Sequence, residues 1–369
     1  MKIAFLLHAP FGRQGSSASF YLPEVLARSE DVLVITPPYS GSSESYRVAS
    51  ARAARIHWLG TARPIAAALE AARVLRRFGP ELVHAMYNPK SALLYAACRA
   101  ALRGQKTAWL LDVRAPLLTT GMKRLASQAL GFSVQPLFDF AFSTAYSSLA
   151  TAIPFSRLPQ ALLPVGIDLG HFPVAPPGPH PLPLTRFVYA GSLARSRRLD
   201  VMLEGFLAFA QKTTRPVSLD IFGGGDDLPR LESLAQSAGQ AIRFHGSIPH
   251  QDLCQRLSAF DAGLSYVPGG PYDDSPSLKI LEYAAAGLPI LASNTRAHQR
   301  FAEEGFALCL FENTPGSLAV EAENMASRGV AGQALSRNRE LAAAYDWTAL
   351  VTNVALPRYR QLAARAAQG

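Results

Sequence analysis

Phe187-Val188-Tyr189-Ala190-Gly191-Ser192-Leu193-Ala194-Arg195-Ser196-Arg197-Arg198-Leu199 sets the pattern for the chain. The first residues read as a buried strand. The glycine permits a tight turn and a close approach of backbone to a ligand. The apolar-periodic run from Leu199 to Ala210 reads as the helix that follows. The same unit recurs downstream, with strands at 217–222, 242–244, 262–265 and 289–292 and helices at 228–238, 252–258 and 277–286. Strands alternating with helices in this way imply a parallel sheet covered on both faces.

The same rhythm runs upstream. Strands are predicted at 2–7, 32–35, 82–84 and 106–113, and helices at 19–28 and 91–101. A further helix opens at Pro64 and stops at Gly79-Pro80. Phe140 to Ser156 carries six Ser and Thr and one proline and reads as buried helix and loop. Nine prolines between Pro154 and Pro183 mark a stiff connector. The expected domains are 1–165, a linker at 166–184, and 185–345. The fold class is α/β, with two Rossmann-like doubly wound domains facing a central cleft.

Composition narrows the class. A chain of 369 residues, 49% apolar and 17% charged, is neither a disordered tail, a collagen nor a coiled coil. Cys98, Cys254 and Cys309 form no Cys-x-x-Cys pair, so neither a disulfide framework nor a thiolate cluster is expected, which suits the cytoplasm. Met1-Lys2 is followed by an apolar run too short for an export signal, and no uncharged stretch is apolar enough to span a bilayer. The net charge of +9 is lopsided. Residues 1–165 hold 18 Lys and Arg against 8 Asp and Glu, and residues 166–369 hold 18 against 19. That asymmetry predicts an anionic partner for the first half, with a membrane surface reached through Arg73, Arg76, Arg77, Lys123 and Arg124 as the expectation. No zinc spacing or aromatic RNA-binding motif occurs, so no nucleic-acid partner is expected.

The densest chemistry lies in Asp273-Asp274-Ser275-Pro276-Ser277-Leu278-Lys279-Ile280-Leu281-Glu282-Tyr283-Ala284-Ala285-Ala286-Gly287. Ser275 reads as a helix cap, Pro276 as the first helical residue and Gly287 as the far end. Such a helix start attracts anions through its free N–H groups and dipole. Asp274 and Glu282 would flank that anion, an arrangement suited to a nucleotide-sugar. Gly191 with Arg195, Arg197 and Arg198, and the turn Gly223-Gly224-Gly225, add backbone and guanidinium contacts for a diphosphate. There is no Walker sequence, no Gly-x-Gly-x-x-Gly and no Asp-x-Asp, so no metal or other cofactor is expected. On the first half, Gly12, Gly15, His84 and Arg114 all follow strands and are the candidates for an acceptor side.

From Phe187 to about Phe306 the chain resembles the nucleotide-sugar domain of the retaining GT-B glycosyltransferases of family 4, glycosyl transferases group 1. The resemblance rests on two acidic residues separated by seven, Asp274 and Glu282, and on the run Glu282-Tyr283-Ala284-Ala285-Ala286-Gly287-Leu288-Pro289. Leu163 to Phe172, Phe244 to Ile248, Phe260 to Leu264 and Tyr345-Asp346-Trp347 resemble further family segments. Two departures stand out: Asp274 where the family usually has Glu, and Ser192 where it has Arg.

The resemblance implies that residues 346–369 cross back to the first domain. It implies a retaining hexosyltransferase moving sugar from a nucleotide-sugar to a glycan or polyprenyl-linked acceptor in bacterial cell-envelope polysaccharide synthesis, at the inner face of the cytoplasmic membrane. Arg197, or Arg195 or Arg198 in its stead, and Lys279 would stabilise the leaving phosphate. Asp274 would hold the sugar and Glu282 the ribose. Ser277 and Leu278 would lie at the phosphates, and Ile248 would face the nucleobase through its backbone. A GT-B nucleotide-sugar epimerase and a non-catalytic subunit of a partner transferase remain the alternatives.

Overall fold

The computed structural model describes residues 1–12, 17–38, 54–114, 121–173, 181–236, 239 and 241–368. The chain divides into two compact units, Met1–Gly166 with Trp347–Gly369, and Ile167–Asp346. Gly15 and the linker residues 174–180 lie outside the described residues.

The first unit is a seven-stranded parallel sheet of β1 (Lys2–Leu6), β2 (Asp31–Thr36), β3 (Arg55–Trp58), β4 (Leu82–Met86), β5 (Ala108–Val113), β6 (Phe140–Ser143) and β7 (Gln160–Leu162). Its order is β3-β2-β1-β4-β5-β6-β7. Strand periodicity sorts the core into two layers. Ile3 and Phe5 face α1 (Ser17–Leu26), while Ala4 and Leu6 face α2 (Pro64–Phe78), α3 (Ala92–Ala101), α4 (Gly121–Val134) and α5 (Tyr146–Ala152). Helix α2 shows why such segments form. Pro64 opens it, Ala68, Ala71, Ala72 and Leu75 make its buried stripe, and Gly79 at φ 63° ends it in the left-handed region.

The second unit holds six parallel strands, β8 (Arg186–Ala190), β9 (Ser218–Phe222), β10 (Ile242–Phe244), β11 (Ala262–Ser265), β12 (Ile290–Ser293) and β13 (Cys309–Phe311), in the order β10-β9-β8-β11-β12-β13. Its helices are α6 (Leu199–Lys212), α7 (Leu228–Ala235), α8 (His250–Leu257), α9 (Leu278–Ala285), α10 (Arg296–Glu303), α11 (Pro315–Arg328) and α12 (Gly332–Ala343). Phe187, Phe206 and Phe209 pack edge to face beneath β8. The chain then returns to the first unit through α13 (Trp347–Leu350), a π-helical turn at Val351–Ala355, and α14 (Leu356–Gln368). Trp347, Leu350, Val351, Ala355, Tyr359 and Leu362 enter the same core layer as α1.

Four strands escape the sequence reading: β3, β6, β7 and β13. Residues 140–156, read as helix and loop, instead split into β6 and α5, with Phe140 to Ser143 fully inside the sheet. The predicted start of α9 is also corrected. The helix begins at Leu278 with Ser277 at the cap position, whose side chain makes no cap bond. Ser275 instead donates its N–H to Tyr272 O (2.9 Å), prolonging the preceding turn, and Pro276 lies ahead of the helix.

The returning helix is locked by a buried polar chain. Tyr359 Oη lies 2.6 Å from His84 Nδ1, and His84 Nε2 lies 3.0 Å from Asp112 Oδ2. A carboxylate only accepts, so Nε2–H donates to Asp112 and Nδ1 accepts from the Tyr359 hydroxyl. Burial holds the His84 imidazole below its ordinary pKa, which keeps it in this neutral tautomer. Tyr359→Phe should therefore destabilise the protein by about 1–3 kcal/mol, the cost of an unsatisfied buried nitrogen. Equilibrium urea unfolding reads the loss, and hydrogen exchange should place it in α14. Unchanged stability would mean that apolar packing alone holds the helix.

Candidate functional site

Strand order in the second unit reverses between β8 and β11, and ligands of open parallel sheets bind outside the carboxyl ends of such strands. Two glycine loops interlock there. Gly191 donates to Phe222 O (2.9 Å), Leu193 to Gly224 O (3.0 Å) and Asp227 to Leu193 O (3.1 Å). A Cβ at Gly223, where φ is 138°, would lie 1.8 Å from Gly191 O, and one at Gly225 would lie 2.3 Å from the Leu193 carbonyl carbon. No side chain fits at either position, so the loops hold one shape.

The cations stand on this base. Lys279, in the first turn of α9, runs against Gly191, where an added Cβ would meet its Cε at 3.0 Å. Its Nζ is 5.2 Å from the Tyr189 ring centroid. Arg197 closes a short 3₁₀ turn and lies 4.4 Å over the Tyr272 ring, and Tyr272 Oη donates to Ser196 Oγ (3.0 Å). Burial first, then the Arg197 guanidinium, pull the Lys279 pKa down to about 8, against the opposing field of Glu282. Among the described residues neither Arg197 nor Lys279 makes an ion pair within 4 Å. Of the three neighbouring arginines, Arg197 is the one whose charge acts on Lys279. Arg195 and Arg198 are exposed, and Arg198, at φ 49°, pairs with Asp200 at 3.5 Å.

Helix α9 is fixed from below and from its start. Tyr283 Oη accepts from Ala190 N (3.1 Å), and its ring occupies the space a Cβ at Gly263 would need, 2.3 Å away. At the start, Ser277 Oγ is 3.0 Å from Ser265 Oγ, which is 3.3 Å from His298 Nε2. His298 Nδ1 donates to Ser293 O (2.6 Å), so its Nε2 is the acceptor and the hydroxyls must run Ser277 to Ser265 to His298. Burial pushes the His298 pKa down to about 4, so the chain keeps one direction at neutral pH.

The two predicted carboxylates differ. Glu282 is 4% exposed, and its Oε1 accepts from His250 Nε2 at 2.6 Å. Asp274 is bracketed by two arginines of α10, Arg296 at 3.2 Å and Arg300 at 3.0 Å. Its carboxylate is thus oriented from α10, with lone pairs left for further donors. Ile248 is half-buried two residues before His250. His250, Arg296 and Arg300 were missed from sequence. The one trace of His250 is its place just after the Phe244–Ile248 segment. Among the described residues no group of three or more His, Cys, Asp or Glu could hold a metal ion.

The acceptor-side candidates on the first unit have different surroundings. Gly12 ends the turn after β1 at φ 82°. His84 lies in the middle of β4 rather than after it, fully buried and bonded to Asp112 and Tyr359, and so does not stand at a rim; helix α14 packs against β4 and β5. Arg114 directs its donors to Asp112 (2.7 Å) and to the carbonyls of Leu163 (2.9 Å) and Pro164 (3.2 Å).

Residues 185–328 match the sequence model of a family described as Glycosyl transferases group 1. No curated protein matches the sequence at a significant level. Among solved structures, HepE of Anabaena in complex with UDP is similar over 97% of this chain and 99% of its own, with 13% identity and a TM-score of 0.75. A sucrose-phosphate synthase from Thermosynechococcus elongatus is similar over 99% and 100%, with 20% identity and a TM-score of 0.71. The lipopolysaccharide outer core galactosyltransferase WaaB, in its apo form, is similar over 97% and 100%, with 14% identity and a TM-score of 0.67. The protein has the fold of these GT-B structures, two Rossmann-like units each built on a parallel sheet.

The shared field of the two cations can be measured. An unfolded lysine stays protonated to about pH 10.4. Lys279 therefore costs stability at neutral pH, and that cost fades as pH rises from about 8 through the unfolded value. Arg197→Gln should move the Lys279 pKa back up, read by NMR of the labelled ammonium. A titration that stays where it was would show that burial alone sets the shift.

Proposed function

We propose that the protein is a retaining glycosyltransferase that moves a sugar from a nucleotide-sugar to a glycan or polyprenyl-linked acceptor. The observation that supports this most is a pair of cations, Arg197 and Lys279, that have no ion-pair partner within 4 Å among the described residues and stand over the interlocked glycine turns at the start of α9. A diphosphate fits this chemistry. It supplies the opposite charge, suits the positive end of the α9 dipole, and needs stabilisation as it leaves. Buried Glu282, one turn further along the same helix, is placed to accept hydrogen bonds from ribose hydroxyls, with His250 holding it in line. Asp274, steadied by Arg296 and Arg300, keeps acceptor lone pairs for sugar hydroxyls.

In this reading the C1–phosphate oxygen bond breaks while the acceptor oxygen bonds to C1 from the same face. The departing β-phosphate takes the acceptor's proton. Arg197 and Lys279 carry the charge that grows on that phosphate, so their contribution is larger in the transition state than in the ground state. The family match over 185–328 and the UDP held by HepE make a uridine nucleotide-sugar the first donor to try. Cell-envelope polysaccharide synthesis is the setting this chemistry suits.

Calorimetry with UDP should show proton uptake on binding between about pH 8 and 9, because the diphosphate raises the depressed Lys279 pKa. Affinity should fall as pH rises through that range. Glu282→Gln should weaken binding by the worth of charge-assisted bonds, about 1.5–3 kcal/mol each. Arg197→Ala should lower turnover by about 10²–10³, by analogy with other donors to a developing oxyanion. Product mass separates the readings: a glycosylated acceptor supports transfer, and an isomerised nucleotide-sugar with no acceptor product indicates an epimerase. Nucleotide binding with neither product would indicate a non-catalytic subunit.

A further inference from the structure

We propose that the outward face of α4 in the first unit docks on an anionic lipid surface, lying in its plane. The helix packs inward through Gly131 and Val134, with Gln128 Nε2 donating to Thr151 O (3.0 Å). At 100° per residue, Met122, Leu125, Ala129 and Phe132 then fall together on the opposite side. Met122 is 80% exposed, Leu125 61% and Phe132 56%. A helix at the surface of a globular unit normally turns its polar side to water. Here the stripe facing water is apolar, and residues 125–134 carry no charge.

The layer that carries the stripe is basic. Lys123 and Arg124, both exposed in the first turn, fall about 120–140° round the helix from the stripe, one on each flank, and add positive charge close to it. Helix α3 packs between α4 and α2 in the same layer, and the outward side of α2 presents Arg73, Arg76 and Arg77 beside exposed Ile65 and Leu69. Helices α2 to α5 hold six Lys and Arg against one acid, Glu70, which is already bonded to His57 and Gly60 N–H. The whole first unit holds 21 Lys and Arg against 8 Asp and Glu, the second 15 against 19.

Dimensions and charge select the occupant. Fourteen residues of helix measure roughly 21 Å, short of a hydrocarbon core of about 30 Å. Among the described residues no helix is long and apolar enough to cross a membrane. A second copy docking through the same face would set two strongly basic units against each other, which like-charge repulsion opposes. An anionic bilayer supplies both the apolar depth and the opposite charge.

The inference stands on the first unit alone and does not need the donor-site reading, so failure of one leaves the other as measured. The test is flotation of the full chain with phosphatidylcholine vesicles, with and without phosphatidylglycerol. The wild type should float with the phosphatidylglycerol vesicles at low salt and be released at high salt. Lys123→Glu with Arg124→Glu should lower the partition coefficient by at least about 25-fold, roughly fivefold for each cation lost. Leu125→Ser with Phe132→Ser should lower it at low salt as well. Circular dichroism and nucleotide-dependent thermal stabilisation serve as the folding controls. Phe132→Trp, close to the native side chain, should give a blue-shifted difference fluorescence on adding anionic vesicles. Three results would each overturn the proposal: wild type that stays with the soluble fraction, α4 variants that bind as wild type does, or a concentration-dependent dimer dissolved by the two serine substitutions without vesicle binding.

Discussion

Two positive charges that feel each other's field, with no ion-pair partner within 4 Å for either among the described residues, are the central constraint of the second unit. Arg197 and Lys279 repel, and burial makes the repulsion costlier than it would be in water. Left to themselves, two flexible side chains would swing apart into solvent. They stay because the surfaces beneath them are shaped. The Tyr272 ring carries the guanidinium, the Tyr189 ring lies under the ammonium, and Gly191 leaves the groove in which the lysine stem lies. The strain is electrostatic, and a bound polyanion is the natural group to relieve it.

That arrangement tolerates little movement of α9, which explains the polar machinery around it. The Tyr283 hydroxyl bonds the amide of Ala190 in β8, tying the helix to the strand that leads into the Gly191 turn. The Ser277–Ser265–His298 chain ties its start to β11 and to α10. Helix α10 in turn carries Arg296 and Arg300, which orient Asp274. The cations, the helix start and both carboxylates are therefore members of one connected set. Each hydrogen bond contributes modestly on its own. Their joint effect is preorganisation, with the groups in place before a ligand arrives.

Much of this fold is legible in the sequence because apolar runs and glycine punctuation report buried parallel strands directly. The bounds of β10 and β11 match their predicted ranges residue for residue. Strands β3, β7 and β13 are edge strands or next to an edge, three or four residues long and only partly buried, so their pattern is thin. The site divides in the same way. Residues tied to a motif in one segment, such as Lys279 and Glu282, are readable. Which of Arg195, Arg197 and Arg198 acts on the lysine is decided by a 3₁₀ turn and a left-handed residue that no local pattern announces. His250 and Glu282 are 32 residues apart, and the bond between them is a product of packing.

Helix α4 shows the opposite case, where the expected rule misleads. Amphipathic patterns are read on the assumption that the apolar side faces the core. In α4 the inward side is made by Gly131 and Val134, with Ser127 and Gln128 at its margin, while Met122, Leu125 and Phe132 point away. Glycine at position 131 is required for that inversion. A Cβ there would meet Tyr87 Oη at 2.5 Å and Ala152 O at 2.7 Å, so the helix can sit this close to α5 only where it has no side chain. With the inward side already filled by so little volume, the large apolar residues have no room beneath the helix. Their exposure costs solubility and contributes nothing to the core. The sequence therefore sustains an apolar surface that folding of the first unit does not explain, beside the most basic part of the chain.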